Sequence, residues 1–305
     1  MSKKYEIRER LSPTLGDYIE SRKYMSPQTV KGYIYTLHRL EKFLAERKKS
    51  LTELTLNDLV DYLGQIHENG GSANYIHKQA TVIMGFAKWA RWEGKLSDRE
   101  FARIVRCTKQ FRATRRTSSV ALSEDEIRTI FRKVSDPKQR YILWFALNFG
   151  LRSSEMCSMK LQDVDLINRR ILVRGRGIRV REIPMTEKQA EVLEGMLDWR
   201  KNLHKKCEHL FVNSSGHRLR PSTLESMMRK ISKLTGVQVN CRRLRKTFAT
   251  ILRLNGMDFR MILRVLGLRE PVEEADLWDM DYEKFSRGYI EFLERMPKED
   301  QYFGI

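Results

Sequence analysis

Residues 242–250 read Arg242-Arg243-Leu244-Arg245-Lys246-Thr247-Phe248-Ala249-Thr250, a cationic run with apolar residues at helical spacing. At 3.6 residues per turn, Arg242, Arg245 and Ala249 fall on one side of a helix. Leu244, Phe248 and Ile251 line the adjoining apolar face. A guanidinium is a planar fork of donors, so Arg242 and Arg245 can reach the oxygens of one phosphate together, in a geometry that lysine matches less well. Three other stretches stand in order around this one. Gly150-Leu151-Arg152-Ser153-Ser154-Glu155-Met156 places an arginine where a turn gives way to a new helix. Arg174-Gly175-Arg176-Gly177-Ile178-Arg179-Val180-Arg181-Glu182-Ile183-Pro184 reads as a hairpin. Leu254-Asn255-Gly256-Met257-Asp258 leads into Ile262-Leu263-Arg264-Val265-Leu266-Gly267-Leu268, and a tyrosine-bearing tail follows around Tyr282.

The surrounding composition narrows the function classes. The 305 residues carry 58 Lys+Arg against 39 Asp+Glu, a formal charge of +19. Such an excess draws phosphate backbones through counterion release, which needs no base recognition, so double-stranded DNA is the expected partner. Hydrophobic residues make up 41% of the chain, enough for packed cores. No run approaches the ~18 uninterrupted apolar residues of a membrane span. Met1-Ser2-Lys3-Lys4-Tyr5-Glu6 lacks the apolar stretch of a signal peptide, so an intracellular protein without a membrane partner is expected. Cys107, Cys157, Cys207 and Cys241 lie far apart and predict buried, reduced thiols rather than a zinc knuckle. The chain has no G-x-x-x-x-G-K-[ST] stretch and no acidic cluster of the two-metal nuclease kind. No nucleotide, metal or other cofactor is therefore expected.

The fold class expected is mainly α. A helical N-terminal domain spans 1–105, a basic linker 106–121, and an α-rich domain with a small antiparallel β-sheet 122–305. In the first domain Ser12-Pro13, Ser26-Pro27, Thr55 and Ser72 open helices, and Glu68-Asn69-Gly70-Gly71 closes one. Arg103, Arg106, Lys109, Arg112 and Arg115 then recur every third residue, with Arg116 added. This stripe reads either as cations tracking a duplex or as a solvated helix end running into a polar linker. The second domain opens with the capping box Ser123-Glu124-Asp125-Glu126. An apolar helix over 141–149 ends at Gly150, and strands 170–174 and 179–183 flank the hairpin turn. A second capping box, Thr186 to Gln189, returns the chain to helix.

In this order the sequence resembles the tyrosine recombinase (phage integrase) family. Its members carry G-L-R-x-x-E, a G-K-G hairpin, H-x-L-R-H-T-F-A-T, L-G-H and a nucleophilic tyrosine. The resemblance covers Leu122 to Met296, and the first domain looks like the family's SAM-like core-binding domain. It implies a site-specific recombinase or integrase working through a 3′-phosphotyrosine, with a homotetramer on two duplexes. Arg152 and Arg245 match the family's clamp arginines, and Arg242 stands at its first histidine. Arg176 replaces the hairpin lysine, and Leu268 replaces the histidine of L-G-H. Tyr282-Glu283-Lys284-Phe285-Ser286 resembles the family's Y-x-H-x-S, which makes Tyr282 the candidate nucleophile, with Tyr289 as the alternative. Trp278 lies one helical turn earlier. Arg179 and Lys246 join the 103–116 stripe as DNA-contacting candidates. Arginine holds its proton too firmly to be an efficient acid. The sequence therefore also admits a catalytically impaired architectural protein, or a type IB topoisomerase-like nicking enzyme.

Replacing Arg106, Lys109 and Arg112 together by Ala is expected to flatten the salt dependence of DNA binding. Each phosphate interaction removed should lower the log–log slope by about 0.9, with sequence preference unchanged. Anisotropy titrations across a salt series measure this, and an unaltered slope means the three cations face solvent.

Overall fold

In the computed structural model Ser12 caps the first described helix: its hydroxyl accepts the Leu15 amide while Pro13 takes the first helical position. Residues 11–108, 120–175, 180–202, 207–268 and 282–296 are described. They fall into two units, Met1–Thr117 and Ser118–Ile305. The first holds α1 (Pro13–Glu20), α2 (Pro27–Glu46), α3 (Leu56–Glu68), α4 (Ala73–Trp92) and α5 (Asp98–Thr108). Ser26, Thr55 and Ser72 cap α2, α3 and α4 through their hydroxyls, each such cap contributing about 1 kcal/mol. Leu15, Leu37, Leu40, Leu44, Leu59, Ile83 and Phe86 form the core of this unit, with Tyr18 edge-on to Phe86. Ile104 and Thr108 are also buried, so α5 continues into the stretch read as linker. Arg103 and Arg106 consequently stand exposed on a helix, Arg103 pairing with Glu100 at 2.7 Å. Lys109, Arg112, Arg115 and Arg116 lie outside the described residues.

The second unit contains α6 (Glu124–Lys133), α7 (Pro137–Phe149), α8 (Ser153–Ser158), β1 (Val164–Asp165), β2 (Arg170–Arg174) and β3 (Val180–Pro184). It continues with α9 (Glu187–Lys201), α10 (Pro221–Thr235), α11 (Cys241–Leu254), α12 (Phe259–Leu266) and α13 (Tyr282–Arg295). Both capping boxes form, at Ser123 with Glu126 and at Thr186 with Gln189. Asp136 caps α7, so that helix begins a turn before the apolar run. The strands make an antiparallel sheet in the order β1-β2-β3. Val173 opposes Arg181, and Ile171 opposes Ile183. Trp144, Phe145 and Phe149 of α7 fill the core, against which α11 packs Leu244, Thr247, Phe248 and Leu252. The apolar face thus runs through Thr247 and Leu252, leaving Ile251 half-buried. Cys157 is buried and its thiol is pushed up to about 12 by desolvation, while Cys107, Cys207 and Cys241 are half-buried. Among the described residues no helix is long and apolar enough to cross a membrane.

Gly150 ends α7 in the left-handed region, at φ 58°. A Cβ there would collide with the Phe248 ring and stand 3.0 Å from a Leu266 methyl. Gly150→Ala is expected to lose about 1–2 kcal/mol to backbone strain and roughly 1–3 more to overpacking. Gly236 is also left-handed, at φ 78°, but has open space around it, so Gly236→Ala should lose the strain alone. Urea melts of the two variants compare them, and equal losses mean α11 yields freely where it meets Gly150.

Candidate active site

Three arginines from separate elements converge on one carboxylate. Glu155 lies on α8 and its side chain is 4% exposed. Arg181 of β3 grips it bidentately, Nη1 to Oε1 and Nη2 to Oε2, both at 3.0 Å. Arg152, at the start of α8, donates from Nη1 to Oε1 at 2.8 Å, and its backbone amide reaches Oε2 at 2.8 Å. Arg245 of α11 brings Nη1 to 3.8 Å from Oε2. Burial by itself would raise the Glu155 pKa. The hydrogen bonds and charges of Arg181 and Arg152 outweigh it and hold the carboxyl below its usual 4.5.

The C-terminus of α12 supplies the remaining acceptors. Gly267 takes a left-handed turn, φ 58°, and the amides of Gly267 and Leu268 close back on the Arg264 and Leu263 carbonyls, both at 3.0 Å. The later carbonyls, left without helical partners, go to guanidiniums. Arg181 Nε donates to Val265 O at 2.8 Å, and Arg245 Nη2 to Leu266 O at 2.7 Å. Arg152 reaches Leu266 O at 3.5 Å and Gly267 O at 3.3 Å. Arg245 Nη1 also donates to Gly150 O at 2.8 Å, tying α11 to the turn before α8. A Cβ on Gly267 would sit 2.8 Å from Arg181 Nη1, so the glycine provides the turn and admits the strand's arginine.

Three positive groups share one negative group. Arg245, whose side chain is 14% exposed, has its pKa lowered to about 10, first by burial and then by Arg152, with Arg181 adding to it and Glu155 opposing. A desolvated guanidinium beside like charges is relieved by an anion, and Arg152, 39% exposed, opens the cluster to one. Among the described residues no group of three His, Cys, Asp or Glu side chains is placed to hold a metal.

The other candidates distribute unevenly. Arg242 is exposed at the start of α11, and Lys246 is half-buried on the same helix. Tyr282 begins α13 and faces the sheet. Burial and then the Glu182 carboxylate raise its pKa, while Ser286 and Arg170 pull the other way. Glu182 pairs with Arg170 at 2.9 Å and alternates with Arg181 along β3, so it belongs to the opposite face of the strand. Among the described residues no hydrogen bond joins Tyr282 to the arginine cluster. Tyr289 is fully buried and stacked on Phe285, its hydroxyl without a partner and its pKa raised by desolvation. Leu268 is 39% exposed and serves through its backbone. Arg176, Arg179 and Trp278 lie outside the described residues.

Sequence reasoning assigned no role to Glu155, Arg181 or the α12 carbonyls. One signal was present, because period-two alternation puts Arg181 on the same strand face as the buried Ile183. An arginine on a buried face needs a carboxylate, and Glu155 follows Arg152 by three residues.

The model described as the phage integrase family matches residues 121–271, and that for the phage integrase N-terminal SAM-like domain matches 15–94. The first match takes in Arg152, Arg181 and Arg245 and ends before Tyr282. The chain is 28% identical to tyrosine recombinase XerC of Bacillus licheniformis, over 82% of this chain and 85% of that protein. It is also 28% identical to tyrosine recombinase XerA of Pyrococcus horikoshii, over 83% of this chain and 89% of that one. Among solved structures, a lambda integrase dimer bound to a COC′ core site shares the fold, with a TM-score of 0.66 at 17% identity, covering 86% of this chain and 96% of that one. A lambda integrase tetramer bound to a Holliday junction gives 0.65 at 16% identity, covering 91% and 80%.

Glu155→Gln should leave the guanidiniums without a counter-charge and lower the stability of the second unit by about 3–5 kcal/mol. Because the folded-state pKa is depressed, the carboxylate's contribution is complete above 4.5 and is lost as pH falls through the lower value. Thermal melts over pH 3–7 should therefore converge for wild type and variant at the acid end. Curves that stay parallel across the range mean the ion pairs add nothing to stability.

Proposed function

The chain belongs to the phage integrase family of tyrosine recombinases, and on that footing we propose how its residues carry out site-specific recombination of double-stranded DNA. The observation that carries the reading is the cluster in which Arg152, Arg181 and Arg245 share the single buried carboxylate of Glu155. A phosphodiester seated on Arg152 and Arg245 gathers negative charge on its non-bridging oxygens during attack, and forked donors fixed in advance stabilise that charge most. Arg181 is held away from the phosphate by Glu155 and Val265, and it keeps the clamp in place.

Tyr282 is the nucleophile in this reading. Its hydroxyl oxygen bonds to phosphorus and loses its proton, the bond to the 5′-oxygen breaks, and that oxygen takes up a proton. The reverse attack by a 5′-hydroxyl rejoins the strand. The phosphotyrosine retains the bond energy, so neither nucleotide nor metal is needed. Tyr282 must exchange Glu182 for the clamp to react, whereas Tyr289, inside the core, would have to unpack α13. Arg176, at the family's lysine position, contributes charge rather than an easily released proton. Arg242 and Lys246 lie on the helix that carries Arg245, and with Arg103, Arg106 and Arg179 they are assigned to the DNA backbone. The lambda integrase tetramer on a Holliday junction supports a homotetramer on two duplexes.

A nicked duplex that traps the cleaved strand should yield a covalent protein–DNA band on denaturing electrophoresis, and mass spectrometry should map the adduct to Tyr282. Arg152→Lys and Arg245→Lys keep the charge but lose the fork, so cleavage should fall by about 10²-fold or more while binding changes little. Absence of any adduct would leave a binding protein on this fold, and an adduct at Tyr289 would reassign the nucleophile.

A further inference from the structure

One arginine of α11 turns away from the clamp. The Arg243 guanidinium reaches the segment by which the chain enters the second unit. Nε donates to Val120 O at 2.9 Å and Nη2 to Ala121 O at 3.4 Å. Nη2 also meets both Glu126 oxygens, at 2.9 and 2.7 Å, and Nη1 donates to Gln238 O at 2.7 Å. One helical turn on, Thr247 is fully buried, and its hydroxyl accepts the Leu122 amide at 2.8 Å while donating to Arg243 O at 2.9 Å. Three successive residues, 120 to 122, are thus fastened to the helix that carries Arg245. They precede the first helix of the unit, so neither helix nor strand partners exist for their polar groups, and Arg243 and Thr247 supply them.

Glu126 draws α6 into the same network, since it also accepts the Ser123 amide at 2.9 Å in the capping box. The fastening has a specific geometry. Positions 243 and 247 share one face of α11, while 245 projects from another, so a shift of the entry segment is felt by the helix that aims the clamp. A salt bridge to one half-buried carboxylate would suffice to hold α6 on α11. The hydrogen bonds to successive backbone carbonyls do something further, which is to set where the linker leaves the unit.

We propose that Arg243, assisted by Thr247, is a positioning residue for recombination: it fixes residues 120–122 relative to Arg245, so that the path by which the chain enters the second unit determines how the phosphate meets the clamp. This rests on the recombinase reading above. The test uses the full chain and single-turnover cleavage of the nicked duplex at saturating protein. Four proteins are compared: wild type, Arg243→Met, an insertion of two glycines after Ser118, and the combination. Arg243→Met should slow cleavage by about 10- to 100-fold while affinity for the duplex stays within about threefold. The insertion should slow cleavage too, and the combination should be no slower than the insertion alone, because both act by freeing the same joint. Arg243→Lys, which keeps the ion pair but not every bond to a carbonyl, should fall between, and it replaces Arg243→Met in the cycle if that variant does not fold. Losses that multiply, or a wild-type rate for both Arg243 variants, overturn the proposal. A wild-type chain that never cleaves removes the recombinase reading, and this proposal with it.

Discussion

A single buried carboxylate organises the second unit around its chemistry. Glu155 is the one anion within reach of Arg152, Arg181 and Arg245 among the described residues, and each guanidinium comes from a different element. Removing charges from water is costly unless they are paired and hydrogen-bonded, and here three cations share one partner. Burial, and after it the Arg152 charge, lowers the Arg245 pKa to about 10. The cluster is left with more positive than negative charge, a balance that an anion would restore.

The backbone takes an equal share. The α12 C-terminus closes on Gly267, which leaves the Val265, Leu266 and Gly267 carbonyls directed at the guanidiniums. Cations at a helix C-terminus are favoured by the macrodipole as well as by hydrogen bonding. Gly150 does the corresponding work at the other end, allowing Phe248 to close down so that Arg245 reaches the Gly150 carbonyl. The arginine cluster is therefore mounted on turns and helix ends that α7 and α11 hold against the core.

Leu268 contributes its backbone amide to the end of α12. Tyr282 rests against Glu182 on the outer face of β3. Tyr282 and the arginine cluster thus lie apart, with no hydrogen bond between them among the described residues.

What the sequence determined by itself was local. Ser12, Ser26, Thr55, Ser72, Ser123 and Thr186 announce helices because a cap and its amide lie within three residues. Gly175 and Gly177 announce the hairpin, and the cationic run 242–250 announces a helix. The ordered motifs around Arg152 and Arg245 carried the family. Only tertiary structure decided which arginine does what. Glu155 meets Arg181 across 26 positions, and Arg243 meets Val120 across 123, separations over which no periodicity speaks. Arg242, Arg243 and Arg245 are chemically alike and adjacent in sequence, yet one is exposed, one fastens the entry segment and one faces Glu155. Packing of α11 against α7 sets its rotation, and that rotation assigns their roles.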